Sequence, residues 1–138
     1  MVRLEHVNFV VKNMEKTLDF YQAAFPHWQV RTTGEAEWYG VPRTWLHFGD
    51  DVTYLAFNSP GKGVPRDLKT LSVGLMHIAF EVTGLHSLIQ RLIDAGYPVD
   101  SDGSHTEYRR NVYFIDPDGV EVEFVEYLTD DPRLRNGE

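Results

Sequence analysis

The chain has 138 residues, no cysteine, a hydrophobic fraction of 42% and a formal net charge of −8. That length suits one compact domain, and no run approaches the roughly 20 apolar residues of a membrane helix. The lack of cysteine excludes disulfides, thiolate metal sites and a cysteine nucleophile, and the acidic balance argues against a nucleic-acid partner, which needs clustered Lys and Arg.

The opening stretch, MVRLEHVNFVVKN, alternates and carries no continuous apolar block of a secretory leader, so a cytoplasmic location is expected. Residues 4–11 read as a strand, with Val7, Phe9 and Val11 on one face and His6 on the other. A helix follows, with Asn13 as its N-cap and Met14, Leu18, Tyr21 and Phe25 as a sparse apolar stripe. Strand-like segments occupy 28–33, 43–48 and 52–57. Residues 59–74, rich in Pro and Gly, form a connector.

The second half repeats the plan. LMHIAFEV (75–82) reads as a buried strand holding His77. Thr83 is the expected N-cap of a helix with the stripe Leu85, Leu88, Ile89, Leu92 and Ile93, stopped at Gly96. A weak strand signal lies near 97–100, and a stronger one at 111–116. DPDG (116–119) has the order of a type I turn. VEVEFVEY (120–127) forms the final strand, and the polar tail after Leu128 is expected to fray. Arg109-Arg110 reads as a solvated loop pair.

Residues 4–25 align with residues 75–96 without a gap, setting His6 against His77, Phe9 against Phe80 and Val11 against Val82. Each half is thus strand, helix, then three strands, in modules of about 4–58 and 75–128 within one domain, 1–138. The apolar strand faces pack on the helices, so His6 and His77 turn to the opposite face. On the last strand, Val120, Val122 and Phe124 take the helix side, and Glu121, Glu123, Val125 and Tyr127 the other. Tyr54 holds the roughly symmetric position in the first half. A curled sheet would then collect His6, His77 and Glu123 on its inner face. Two imidazoles and one carboxylate suit a divalent ion with coordination positions left open for water and substrate. Glu121 and Glu126 read as solvent-facing.

Three motifs together, LEHVNFVVKNMEKTLDFYQAAF, LMHIAFEV and NVYFIDPDGVEVEF, resemble the vicinal oxygen chelate superfamily, also called the glyoxalase/bleomycin resistance/dioxygenase group. The resemblance implies an α+β fold: two tandem βαβββ modules forming a cupped mixed sheet with helices on the outside. It places the metal ligands on His6, His77 and Glu123. Tyr54 falls where glyoxalase I has a fourth ligand, a glutamate, which speaks against a literal lactoylglutathione lyase. A tyrosine there can ligate or donate a hydrogen bond, but with a reference pKa near 10 it is a poor base.

The reading is therefore a divalent-metal-dependent enzyme (Fe, Mn, Ni, Co or Zn) acting on a small oxygen-rich substrate, of lyase/isomerase, transferase or dioxygenase type. Tyr54 and Glu123 are its catalytic candidates. Asn8, Trp45, His47, Asn58 and Tyr113 are candidates for contacting substrate, although His47 also reads as a packed or rim histidine. His105, Tyr108 and Arg109 lie in a polar loop able to act as a lid. The resemblance implies a homodimer, with the site closed within one chain or across two. The rival reading is a bleomycin-resistance-type protein that sequesters a small molecule, with Trp38, Trp45, Tyr54 and Tyr113 lining the cup and no turnover.

Overall fold

The structure is a computed structural model and describes residues 1–136. The chain is α+β and divides into two compact units, Met1–Val64 and Pro65–Glu138. Unit one runs β1 (His6–Val10), α1 (Met14–Ala24), β2 (Gln29–Trp38), β3 (Val41–Gly49) and β4 (Tyr54–Ser59). Unit two runs β5 (Ile78–Glu81), α2 (Leu85–Asp94), β6 (Ser101–Asp102), β7 (Arg109–Ile115), β8 (Glu121–Tyr127) and α3 (Pro132–Arg135). Each unit holds a four-stranded mixed sheet, β1-β4-β3-β2 in the first and β5-β8-β7-β6 in the second. In both, the first strand pairs in parallel with the last, and the remaining pairs are antiparallel. Among the described residues no helix is long and apolar enough to cross a membrane.

Strand alternation decides which face meets the helix. In unit one, Leu55 and Phe57 are buried, and Tyr21 of α1 stacks on Phe57 at 5.5 Å and on Phe9 at 6.5 Å. The buried side of α1 is Thr17, Phe20, Tyr21 and Ala24. Met14 and Leu18, assigned to the stripe from sequence, are only half-buried. In unit two, Leu85, Leu88 and Leu92 of α2 are buried, as are Val122 and Phe124 of β8. Removing each such large side chain from water contributes about 1.5–3 kcal/mol.

Asn13 caps α1, its Oδ1 accepting from the Lys16 N–H at 3.1 Å. α2 starts differently from the expectation. Its N-cap is Gly84, not Thr83, and the residue has no side chain to satisfy the first amides. The Glu126 carboxylate does so from β8, accepting from Gly84 N at 2.9 Å and Leu85 N at 3.2 Å. Glu126 is therefore committed to a helix end, where a negative charge also meets the positive pole of the helix. Gly96 ends α2 as expected. At φ +96° it lets Tyr97 N–H reach the Leu92 carbonyl at 2.9 Å while its own N–H reaches Ile93, a Schellman closure that favours glycine.

Other boundaries moved. β5 is shorter than residues 75–82, and Leu75 and Met76 are 56% and 53% exposed. The weak signal near 97–100 becomes a two-residue strand at Ser101–Asp102. The tail is not frayed at once: Asp131 caps α3, and Arg135 lies 3.4 Å from Glu81 and 4.8 Å above the Tyr127 ring. The turn at 116–119 forms, with Asp116 Oδ1 accepting from the Asp118 and Val120 N–H groups at 2.9 Å each.

Candidate metal and substrate site

In unit one the parallel register sets His6 beside Tyr54, Asn8 beside Ala56 and Val10 beside Asn58. All six stand away from the α1 side of the sheet. β3 adds His47 opposite Ala56 and Trp45 opposite Asn58. Four rings follow one another across this open face. Trp45 meets His47 at 5.3 Å, His47 meets Tyr54 at 4.6 Å, and Tyr54 meets His6 at 4.7 Å. Arg31 of β2 holds its guanidinium 4.4 Å from the Tyr54 ring centroid.

The polar contacts fix several protonation roles. His6 Nδ1 lies 2.9 Å from Glu5 Oε1. A carboxylate only accepts, so Nδ1 carries the proton and Nε2 of the neutral ring keeps its lone pair. Tyr54 OH donates to the same oxygen at 3.3 Å. The bond from His6, then that from Tyr54, holds Glu5 below the usual carboxylate range against its partial desolvation. Burial and the adjacent Glu5 charge push the Tyr54 hydroxyl above its ordinary value. Burial, then the neighbouring His6 and Arg31, pushes His47 below the usual imidazole value. At the far end of the face, Arg43 donates to Asn58 Oδ1, and Asn58 Nδ2 donates to Asn8 Oδ1 at 2.7 Å.

In unit two the register sets Ala79 and Tyr113 on either side of Glu123. Glu123 Oε1 accepts from Tyr113 OH at 2.8 Å and from Asn111 Nδ2 at 2.9 Å. Both bonds fall on one oxygen, and Oε2 accepts none among the described residues. Asn111 is 4% exposed and packs against Gly103 so closely that a Cβ there would lie 1.8 Å from its Oδ1. Burial, then the bond to Glu123, pushes the Tyr113 hydroxyl up to about 12. His77 lies one residue before β5 and meets Tyr113 edge-on at 5.6 Å. Its Nδ1 is 3.6 Å from Glu121 Oε1, so Glu121 backs an imidazole and does not simply face solvent. His6 thus has a carboxylate hydrogen-bonded at Nδ1, the usual support behind a metal-binding imidazole, and His77 has one within ion-pair range.

Among the described residues, no three His, Asp or Glu side chains gather into a group able to hold a metal ion. Within unit one the structure brings together His6, Tyr54, His47 and Trp45, and also Asn8 with Asn58. Within unit two it brings together His77, Tyr113 and Glu123. Trp38 lies at the end of the β2–β3 hairpin, 54% exposed and stacked on Tyr39. His105 is exposed, whereas Arg109 begins β7 and donates to Ser104 at 2.7 Å. Sequence reasoning missed Glu5, Arg31, Arg43 and Asn111. Alternation along NVYFID puts Asn111 on the face of Tyr113, a signal sufficient to find it. Nothing local singles out Arg31 or Arg43.

A sequence model of the Glyoxalase/Bleomycin resistance protein/Dioxygenase superfamily matches residues 3–124. The chain belongs to that superfamily. Solved structures of similar fold include glyoxalase family proteins and a fosfomycin resistance protein. A glyoxalase family protein from Enterococcus faecalis is 22% identical over 90% of this chain and 97% of its own, with a TM-score of 0.71. One from Bacillus cereus is 13% identical over 94% and 96%, with a TM-score of 0.75. The fosfomycin resistance protein FosX from Listeria monocytogenes, in complex with Mn(II) and sulfate, is 19% identical over 97% and 98%, with a TM-score of 0.67.

Proposed function

We propose that this superfamily member is a divalent-metal-dependent enzyme acting on a small substrate with adjacent oxygens. Nε2 of His6, Nε2 of His77 and Oε2 of Glu123 are the proposed donors to the ion, and a homodimer is part of the proposal. One observation carries the reading. Each proposed ligand already has its other polar atom beside a partner: His6 Nδ1 lies 2.9 Å from Glu5, His77 Nδ1 lies 3.6 Å from Glu121, and Glu123 Oε1 accepts from Tyr113 and Asn111. That leaves one nitrogen or oxygen per side chain for a cation, and the mixed set suits Mn, Fe, Co, Ni or Zn. The Mn(II) in FosX is compatible with the same choice.

When bound, the ion supplies Lewis-acid stabilisation of charge developing on substrate oxygen. The protein's own groups do the rest. Trp45, His47 and Tyr54 offer a flat aromatic wall for the substrate body. Tyr54 remains a neutral hydroxyl at physiological pH and serves as a hydrogen-bond donor, not as a base. His47, kept neutral, is available to accept a proton. Arg31 presents positive charge over the same wall and favours an anionic substrate. Lyase/isomerase, transferase and dioxygenase chemistry all remain compatible with these groups, and a cytoplasmic location is part of the proposal.

Metal analysis of the protein purified without chelator, followed by Mn2+ titration, tests the reading. Wild type should bind one ion per site, and His6→Ala, His77→Ala and Glu123→Ala should each lose it. Undiminished binding in all three variants sinks it. The row of four rings gives a second reading some support: metal-independent capture of a flat aromatic molecule. Tight binding of such a molecule by chelator-treated protein, with no turnover after metal is restored, would decide for capture.

A further inference from the structure

We infer that Asn8 is a dedicated hydrogen-bond donor to an acceptor oxygen of the substrate, and that Arg43, acting through buried Asn58, sets this polarity. The inference deepens the function proposed above, because it places substrate on the open face of the first sheet.

An asparagine amide offers an acceptor on one side and two donors on the other, and either orientation fits the same space. What decides is the neighbour. Arginine has five N–H donors and no acceptor. Arg43 Nη1 therefore requires the Asn58 oxygen to face it. The Asn58 amino group must then face Asn8, which it does at 2.7 Å. Asn8 accepts through Oδ1, so its own Nδ2 is turned away from Asn58 and has no partner among the described residues. The reverse orientation would set donors against donors where Asn58 is only 6% exposed and water cannot intervene. Arg43 is half-buried, with its Nε shielded from solvent.

Asn8 is exposed and lies two residues from His6 on the same face of β1, a separation of about 6.6 Å along the strand. A substrate carboxylate, carbonyl or phosphoryl oxygen beside His6 would meet two N–H groups at Asn8. An amino group turned to Asn8 Nδ2 would set donor against donor. At this position an acceptor oxygen of the substrate is thus favoured over an amino group. Asn8 is the contacting residue, and Asn58 and Arg43 are positioning residues.

Oxalate, a rigid pair of adjacent oxygens, serves as the probe, with oxamate as its amide counterpart. Calorimetry is run on wild type, Asn8→Ala, Asn8→Asp and Asn58→Asp, each with and without Mn2+. Asn8→Ala should weaken oxalate about tenfold, the loss of one charge-assisted hydrogen bond. Asn8→Asp, on an exposed position that does not endanger folding, should weaken it further. Asn58→Asp is the informative variant. It still accepts from Arg43 but cannot donate to Asn8, so Asn8 turns its amino group inward and presents oxygen outward. Oxalate affinity should fall while oxamate affinity holds, with melting temperature and Mn2+ affinity unchanged. Equal oxalate affinity across wild type, Asn8→Ala and Asn8→Asp overturns the inference, as does an unaltered oxalate-to-oxamate preference in folded Asn58→Asp. Failure of wild type to bind Mn2+ removes the metal proposal instead and leaves the oxalate comparison to stand or fall without metal.

Discussion

The imidazole of His6 lies parallel to the phenol of Tyr54, with ring centroids 4.7 Å apart and planes within 9°. The stack orients a proposed ligand from its face, while Glu5 orients it from its edge. Tyr54→Phe keeps the stack and removes only the hydroxyl. Tyr54→Ala removes both. Mn2+ affinity should stay within about threefold for Phe and fall about tenfold for Ala, the scale on which ligand supports act. Titration followed by electron paramagnetic resonance reads this directly, and an equal loss in both variants would transfer the effect from the ring to the hydroxyl.

Tyr113 touches His77 by its edge and Glu123 by its hydroxyl. Its hydroxyl titrates near 12 in the folded protein, against about 10 in an unfolded chain. The folded state therefore binds the extra proton between those values. The associated stability is fully present below pH 10 and is lost as pH rises toward 12. Tyr113→Phe should flatten that alkaline decline in urea denaturation, and an ultraviolet titration should lose one tyrosine step near pH 12. Mn2+ affinity should drop several-fold as Glu123 Oε1 loses one donor. A variant with the same alkaline profile as wild type would contradict the assignment.

Gly103 is a loop residue with no chemistry of its own, yet a methyl at that position would lie 1.8 Å from Asn111 Oδ1 and 2.2 Å from its Cγ. Asn111 is buried and cannot swing into solvent. Gly103→Ala should destabilise by about 1–3 kcal/mol, the range for overpacking, and should release the bond from Asn111 to Glu123. Urea denaturation and Mn2+ titration should both register the change. Loss of stability with intact metal affinity would mean that Tyr113 alone suffices to hold Glu123.

Glu126 stands 42 residues from Gly84 in sequence and closes the start of α2. Glu126→Ala should cost about 1–2 kcal/mol, as the removal of an N-cap side chain does. Glu126→Gln should cost less, since one acceptor remains. Differential scanning calorimetry should show Tm lowered by several degrees for Ala, with metal affinity untouched. An unchanged Tm would mean that water caps the helix equally well.

Much of this protein follows from its sequence because two periods are local. Alternation assigned Phe9, Leu55, Phe57, Val122 and Phe124 to the helix side and His6, Tyr54 and Glu123 to the other, and the gapless repeat of residues 4–25 at 75–96 pointed to two strand–helix units of one plan. Asn13, Gly96 and the 116–119 turn act through neighbours within a few residues, so their roles were legible. Tertiary structure alone decided what bridges distant segments. Glu126 caps α2 and displaces Thr83, Asn111 and Tyr113 meet on one oxygen of Glu123, Arg31 covers Tyr54, and Arg135 returns to Glu81. A side chain's own period tells which face it takes; which partner it meets depends on strand register and reach, and these are set only when the whole sheet assembles.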